Sequence, residues 1–360
     1  ISEGNETIRG NGAGSSAAWA AGGSNPPFTT ETQEWSAPSD FNQIQEGQLF
    51  FNSTANAFKE TITDIPGATW SSGGSLNTGR VQLNSFGDQE AAIIAGGYTT
   101  ALSDVVEQYN GSSWTEIAEI NDARSNEAGT GSGTTTAGLI YGGNTPGGTG
   151  NTESWNGSAW TEVNDLNGAR YSVSGVGTQT ASLAFGGRNP ATSPNPGDKD
   201  LVESWDGSSW TEVSELNTKR AGSGGVGQVY TAALCVGGYD TAATASSAKN
   251  EQWDGTSWTE LGDLNTGRHN GLTRGGTSTL AIVAQGASTS PSQSYNVLTE
   301  SWNGTSWTEQ ADLSTGGYGG GGQGSVSATF VAGGEGSGST NLTRTEHWNA
   351  NLANKTIGSS

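Results

Sequence analysis

ESWNGSAWTEVNDLNGAR, residues Glu153 to Arg170, returns along the chain as EQYNGSSWTEIAEINDAR from Glu107, ESWDGSSWTEVSELNTKR from Glu203, EQWDGTSWTELGDLNTGR from Glu251 and ESWNGTSWTEQADLSTGG from Glu300. A shorter copy, TWSSGGSLNTGR, runs from Thr69 to Arg80. Its Trp70 and the second aromatic position of the other copies, Trp114, Trp160, Trp210, Trp258 and Trp307, lie 44, 46, 50, 48 and 49 residues apart. Self-similarity at that period marks a repeat array, in which each unit buries its apolar face against its neighbours.

Each copy carries Asn-Gly or Asp-Gly between two aromatic runs, as at Asn156-Gly157, Asp206-Gly207, Asp254-Gly255 and Asn303-Gly304. Gly takes φ > 0 freely and Asn or Asp tolerates it, so the spacing predicts a β-hairpin with a type I′ turn at each site. Upstream of each hairpin an apolar run ends in two glycines: AAIIAGG at Ala91, AGLIYGG at Ala137, ASLAFGG at Ala181, AALCVGG at Ala232 and ATFVAGG at Ala328, with LAIVAQG at Leu280 as a variant. Short apolar runs bounded by Gly read as buried strands. A Gly- and Ser-rich strand such as YSVSGVGTQT from Tyr171 precedes each of them. Four strands per unit is the blade of a β-propeller.

The double glycine followed at blade spacing by an aromatic and then a Trp resembles the kelch repeat over nearly the whole chain. The resemblance implies a closed all-β ring of four-stranded blades and says little of function, since such rings serve as enzymes, adaptors and receptors. Counting apolar strands that end at Gly23, Gly97, Gly143, Gly187, Gly238, Gly286 and Gly334 predicts seven blades. In this reading residues 1–8 are an N-terminal segment able to close the ring, and residues 9–360 are the propeller. Closure falls either to that segment or to Asn351 to Ile357, because the last unit lacks its second Trp. Residues 36–68 interrupt the first unit as an inserted module, within which EGQLFFNSTANAFKETI, Glu46 to Ile62, reads as a hairpin about a polar turn at Asn52 to Asn56.

That hairpin resembles a short motif of bacteriophage fibre and virion proteins. Beside the tandem Asn-Gly-Ser-Ser-Trp-Thr-Glu repeats, it is similar to tail-fibre or capsid-decoration proteins of marine cyanophages. The resemblance implies a non-enzymatic, extracellular protein on the virion surface, anchored to other capsid or tail proteins and facing a host-surface glycan or receptor. Leu49, Phe50, Phe51 and Phe58 are then candidate anchoring residues. Two further readings stand beside it, an extracellular adaptor of cellular origin and a carbohydrate-active enzyme.

The 360 residues carry 35 acids against 14 Lys and Arg, a formal charge of −21. Nucleic-acid backbones and anionic membranes are bound by clustered cations, so neither is an expected partner. No apolar run is long enough to span a bilayer. The 13 tryptophans supply much of the burial in a chain only 31% hydrophobic. Cys235, alone in a buried strand, excludes a disulfide framework and reads as a small hydrophobe. The chain has no Met and begins at Ile1, which points to trimming, processing or a longer parent protein.

Candidate chemistry is sparse. Arg80, Arg124, Arg170, Arg220 and Arg268 recur before the innermost strand; they form a potential anion ring, but pairing with Glu119, Asp165, Glu215, Asp263 and Asp312 is the expected role. Trp114, Trp160, Trp210, Trp258 and Trp307 read likewise as structural. A copper radical site needs Cys beside Tyr and converging His, which Cys235, His269 and His347 do not offer. The Asn-Gly-Ser-Ala-Trp turn is one residue shorter than the sialidase Asp-box, and no acid pair stands out for glycoside hydrolysis. No metal or other cofactor is expected. What varies between units is the loop after the double glycine, and such loops are free for recognition. Tyr98, Tyr141, Arg188, Asn189, Tyr239 and Tyr295 are therefore candidate ligand-binding residues on the face shared with the loops that link consecutive blades.

Overall fold

The computed structural model describes residues 9–14, 17–23, 29–36, 49–52, 57–189, 197–270, 273–289 and 294–356. The chain forms two compact units, residues 64–351 and residues 1–63 with 352–360.

Residues 64–351 are a propeller of six four-stranded antiparallel blades. From the axis outward, blade 1 is Asn84–Gly87, Ala92–Ala95, Val106–Tyr109 and Trp114–Ile117. Blade 2 is Ala128–Gly129, Gly138–Tyr141, Thr152–Trp155 and Trp160–Val163. Blade 3 is Ser174–Thr178, Ala181–Phe185, Val202–Trp205 and Trp210–Val213. Blade 4 is Gly224–Val229, Ala232–Val236, Asn250–Trp253 and Trp258–Glu260. Blade 5 is Thr273–Gly276, Ala281–Ala284, Thr299–Trp302 and Trp307–Glu309. Blade 6 takes its inner edge from bridges at Gly321 and Gly324, then Ala328–Ala332, Thr345–Thr356 and, outermost, the strand Ala57–Ser72.

The seven-blade expectation is corrected at both ends. Ala17–Gly23, counted as a blade strand for its double glycine, lies in a separate three-stranded sheet with Arg9–Gly14 and Thr29–Ser36, in the other unit. The Trp70 strand, read as the end of a first blade, instead completes the last. Trp70 packs on Trp348 at 5.4 Å, the place the missing second Trp of that unit would fill. An outer strand always precedes the linker into the next inner strand, so a ring whose chain enters on an outer strand must close with that strand. Closure therefore falls to residues 64–72 and not to Asn351 to Ile357; residues 1–8 lie outside the described residues.

The other unit also contains the expected hairpin, Leu49–Asn52 against the start of Ala57–Ser72, pairing Leu49 with Glu60 and Asn52 with Ala57. Its turn at 53–56 lies outside the described residues.

The Asn-Gly and Asp-Gly hairpins form, but not on type I′ turns. Trp155 faces Trp160 directly, leaving a four-residue loop in which only Gly157 has positive φ. The Asn156 Oδ1 accepts from the N–H groups of Ser158 and Ala159, both at 2.9 Å. Asp206 and Asp254 do the same, and these hydrogen bonds hold their carboxyls down at about 2. The side chain closes the turn itself, so the backbone has no need of left-handed geometry there.

Facing tryptophans pack with tilted rings at 5.2 to 5.4 Å in blades 2 to 5. The outer Trp of each blade reaches the preceding one, where Trp210 Nε1 donates to Thr152, Trp70 to Thr299 and Trp114 to Thr345. The seam between blades 6 and 1 is thus bonded as those between blades 2 and 3 and between blades 5 and 6 are. Cys235 lies fully buried among Phe185, Trp253 and Trp258 between blades 3 and 4.

Candidate functional site

The recurring arginines do not form an anion site. Each is fully buried, in the linker entering a blade, and pairs with the glutamate of that blade's third strand: Arg80 with Glu107 at 2.7 Å, Arg124 with Glu153, Arg170 with Glu203, Arg220 with Glu251 at 2.7 Å and Arg268 with Glu300 at 2.5 Å. The expected partners Glu119, Asp165, Glu215, Asp263 and Asp312 are all exposed. A buried guanidinium needs a partner as dry as itself, and the third-strand glutamates are at most 3% exposed. The other oxygen of each of those five carboxylates takes the N–H and side-chain amide of an asparagine three residues before the arginine, as Asn77 does with Glu107 at 2.8 and 2.9 Å.

Two residues beyond each arginine position the linkers meet. Gln82, Asn126, Ser172, Gly222, Asn270 and Gly319 all take φ between 53° and 68°. In that left-handed conformation the N–H of each donates to the carbonyl of its counterpart one linker back, and Gln82 donates to Gly319, closing a ring of six bonds of 2.5 to 3.1 Å about the axis. Four of the six are not glycine, and the ring holds them where an isolated residue would be strained.

The same linkers carry a crown. The residue after each arginine position bridges to the residue after the double glycine of its own blade, as Tyr171 does to Arg188 and Tyr318 to Glu335. Beyond this bridge the chain rises as a small hairpin in blades 3 to 6: Arg188–Asn189 with Gly197–Asp198, Tyr239–Asp240 with Ala245–Ser246, Ala287–Ser288 with Ser294–Tyr295, and Glu335–Gly336 with Thr340–Asn341. Neighbouring hairpins are tied side by side. Thr241 N–H donates to Asp198 at 2.6 Å, Ser246 N–H to Thr289 Oγ1 at 2.7 Å, and Tyr295 Oη to Glu335 at 3.2 Å.

Aromatic rings sit where the hairpins meet the linkers. Tyr295 and Tyr318 stack in parallel at 5.4 Å with both hydroxyls on the Glu335 carboxylate. Burial, then the charge of Glu335, pushes Tyr318 up to about 12, so the pair stays protonated. Tyr239 packs on His269 at 5.0 Å. Burial lowers the pKa of that imidazole, and its Nδ1 meets Ser246 Oγ at 2.9 Å.

Among the sequence-derived candidates, Tyr98, Arg188, Asn189, Tyr239 and Tyr295 lie on this crown face, with Arg188 held 3.6 Å from Asp198. Tyr141 does not. It ends the second strand of blade 2, fully buried against Trp210, with its hydroxyl donating to the Leu183 carbonyl. Its place just before the double glycine puts it inside the blade, three positions before Asn144, where the loop begins. Leu49 is 65% exposed, and the side chains of Phe50, Phe51 and Phe58 lie outside the described residues. Tyr318 and His269 were missed because they sit in linkers, away from the variable loops. Among the described residues, no three His, Cys, Asp or Glu side chains gather as a metal site.

No family model and no curated protein matches the chain. Among solved structures the chain is similar to the one titled "Structure of YjhT", with a TM-score of 0.66 and 14% identity, covering 79% of this chain and 100% of that one. At that identity the likeness carries the fold, a β-propeller.

Proposed function

We propose that this chain is a non-enzymatic surface protein of a bacteriophage particle that presents the crown of its propeller to a host-surface glycan or receptor. The observation that carries the reading is the crown itself, whose hairpins are cross-tied through Asp198, Thr289 and Glu335 and so hold the Tyr239 and Tyr295 rings in place before any ligand arrives. Rigid aromatic faces beside hydroxyls and amides suit the alternating apolar and polar surface of a sugar, and a preformed site loses little entropy on binding. The phage-like hairpin from Glu46 and the Asn-Gly-Ser-Ser-Trp repeats supply the virion part, with Leu49 as an exposed apolar contact for a capsid or tail neighbour.

The test joins both parts. Particles of the source phage are probed with an antibody to the chain, and the purified chain is screened against host-surface glycans. The expected result is surface labelling together with retention of a glycan that Tyr295→Ala and Tyr239→Ala weaken by about tenfold, the loss of one stacking contact of roughly 1–2 kcal/mol. Unlabelled particles overturn the virion part, and glycan cleavage or binding indifferent to both tyrosines overturns the non-enzymatic crown reading.

A further inference from the structure

At the end of the axis opposite the crown, a cavity of about 520 Å³ opens between the turns that join inner to second strands. Much of its wall is backbone, because Gly87, Gly227, Gly276 and Gly324 take positive φ in those turns. Into it comes Arg274 from the innermost strand of blade 5, the one Lys or Arg lining it among the described residues.

Arg274 differs from the arginines of the linkers. They are all ion-paired, whereas no carboxylate pairs with Arg274 among the described residues. Its Nε, like theirs, is buried without a partner, so the missing carboxylate is what sets it apart. Its side-chain ally is Gln323: with the amide turned to the orientation that satisfies both ends, its oxygen accepts from Nη2 at 3.3 Å and its nitrogen donates to the Arg274 carbonyl at 3.0 Å. Burial lowers the guanidinium to about 10, which leaves it charged at neutral pH. Neither acid lining the cavity forms an ion pair with Arg274. Asp88 caps its own turn through the N–H groups of Glu90 and Ala91, and the Glu90 carboxylate leans toward Gly111. Arg274 is half-buried, with no counter-charge beside it, at the end of an open cavity, so an anion entering there meets a cation that solvent only partly covers.

We propose that this cavity is an anion site, in which Arg274, oriented by Gln323, binds the carboxylate or phosphate group of a small ligand. The Nη1 and Nη2 groups, which unlike Nε are not sealed from the cavity, form the end-on fork that grips an oxyanion through two parallel bonds. Val229, Tyr230 and Leu280 stand exposed on inner turns of blades 4 and 5 on the same face, beyond the lining of the cavity itself. The site is independent of the crown, since it uses the other end of the channel.

Isothermal titration of the full chain with glucuronate, glucose 6-phosphate and glucose at low salt tests the assignment. Binding of at least one of the two anions and not of glucose is expected, and the stronger anion tells carboxylate from phosphate recognition. Arg274→Gln should weaken it by roughly tenfold or more, as loss of a charged hydrogen-bonding partner does, and Arg274→Lys should restore part, while Tyr295→Ala leaves it unchanged. Thermal unfolding of each variant establishes that it is folded. Absence of anion binding by the folded wild-type chain at millimolar concentration overturns the site, as does equal binding by folded Arg274→Gln.

Discussion

Glu127 stands one residue past the axial hydrogen-bonded ring, 6% exposed, with neither carboxylate oxygen in a hydrogen bond of normal geometry. Burial pushes its carboxyl up to about 8, against the weaker pull of nearby N–H groups and Arg124. An acid whose folded value is raised favours the fold fully below its unfolded value of 4.5, and that contribution is lost as pH rises through about 8, above which it changes no further. Glu127→Gln should therefore gain stability over wild type at about pH 9 relative to about pH 5, read from urea midpoints at the two pH values. Tryptophan hydrogen bonds give a second residue-scale test. Trp210 donates to Thr152, whereas Trp258, its counterpart one blade on, packs over Val202 with no partner for Nε1. Val202→Thr should add about 1 kcal/mol and Thr152→Val should cost about 1–3 kcal/mol in denaturant unfolding.

At the scale of the element, the linker into blade 6 shows how the repeat tolerates a lost residue. Gly317 occupies the arginine position there, and Arg344, from the segment just before the third strand, places its guanidinium on Glu346 at 3.1 Å and on Gln285 Oε1 at 3.0 Å. Gln285 is itself the replacement for the first glycine of a double-glycine pair, taking φ 54° where Gly96 takes 62°. At Gly96 a Cβ would lie 2.3 Å from a Glu127 oxygen; at Gln285 the side chain is instead what completes the clasp. Arg344→Ala should cost about 3–5 kcal/mol by leaving a buried carboxylate unpaired. Gly317→Arg should destabilise the wild-type chain, since its Cβ would lie 2.9 Å from Arg344 Nη2. The two changes together should recover most of the loss, and a urea-unfolding double-mutant cycle measures the coupling. The LAIVAQG variant and the missing arginine are both visible in the sequence, but that one compensates the other is visible only when their atoms meet.

At the scale of the molecule, the ring depends on residues 64–72 crossing to the last blade. A fragment of residues 64–351 should fold as a monomer with a β-sheet far-ultraviolet spectrum and a cooperative unfolding transition. Removing nine further residues should leave the third strand of blade 6 as an open edge, and size-exclusion chromatography should then find aggregate or unfolded chain. Counting could have found the ring size in advance, because the linker motif that ends at Arg80, Arg124, Arg170, Arg220, Arg268 and Gly317 occurs six times although seven apolar strands end in a double glycine or its Gln285-Gly286 variant. The double glycine marks only a strand end. The linker marks passage from one blade to the next, and passages are what number a ring.

The sequence by itself determined the blade: its four strands, its facing tryptophans, its hairpins and the structural role of its arginines, because these rest on local propensity and on a pattern repeated with every unit. The crown face was legible for the same reason, as the place where the repeats stop agreeing. Only the tertiary structure decided the number of blades, the strand that closes them, the glutamates that hold the arginines and the lone Arg274 in the axial cavity. Each of these is a meeting of residues far apart in the chain, as Trp70 meets Thr299 and Trp348, and a repeat repeats everything except which of its copies is last.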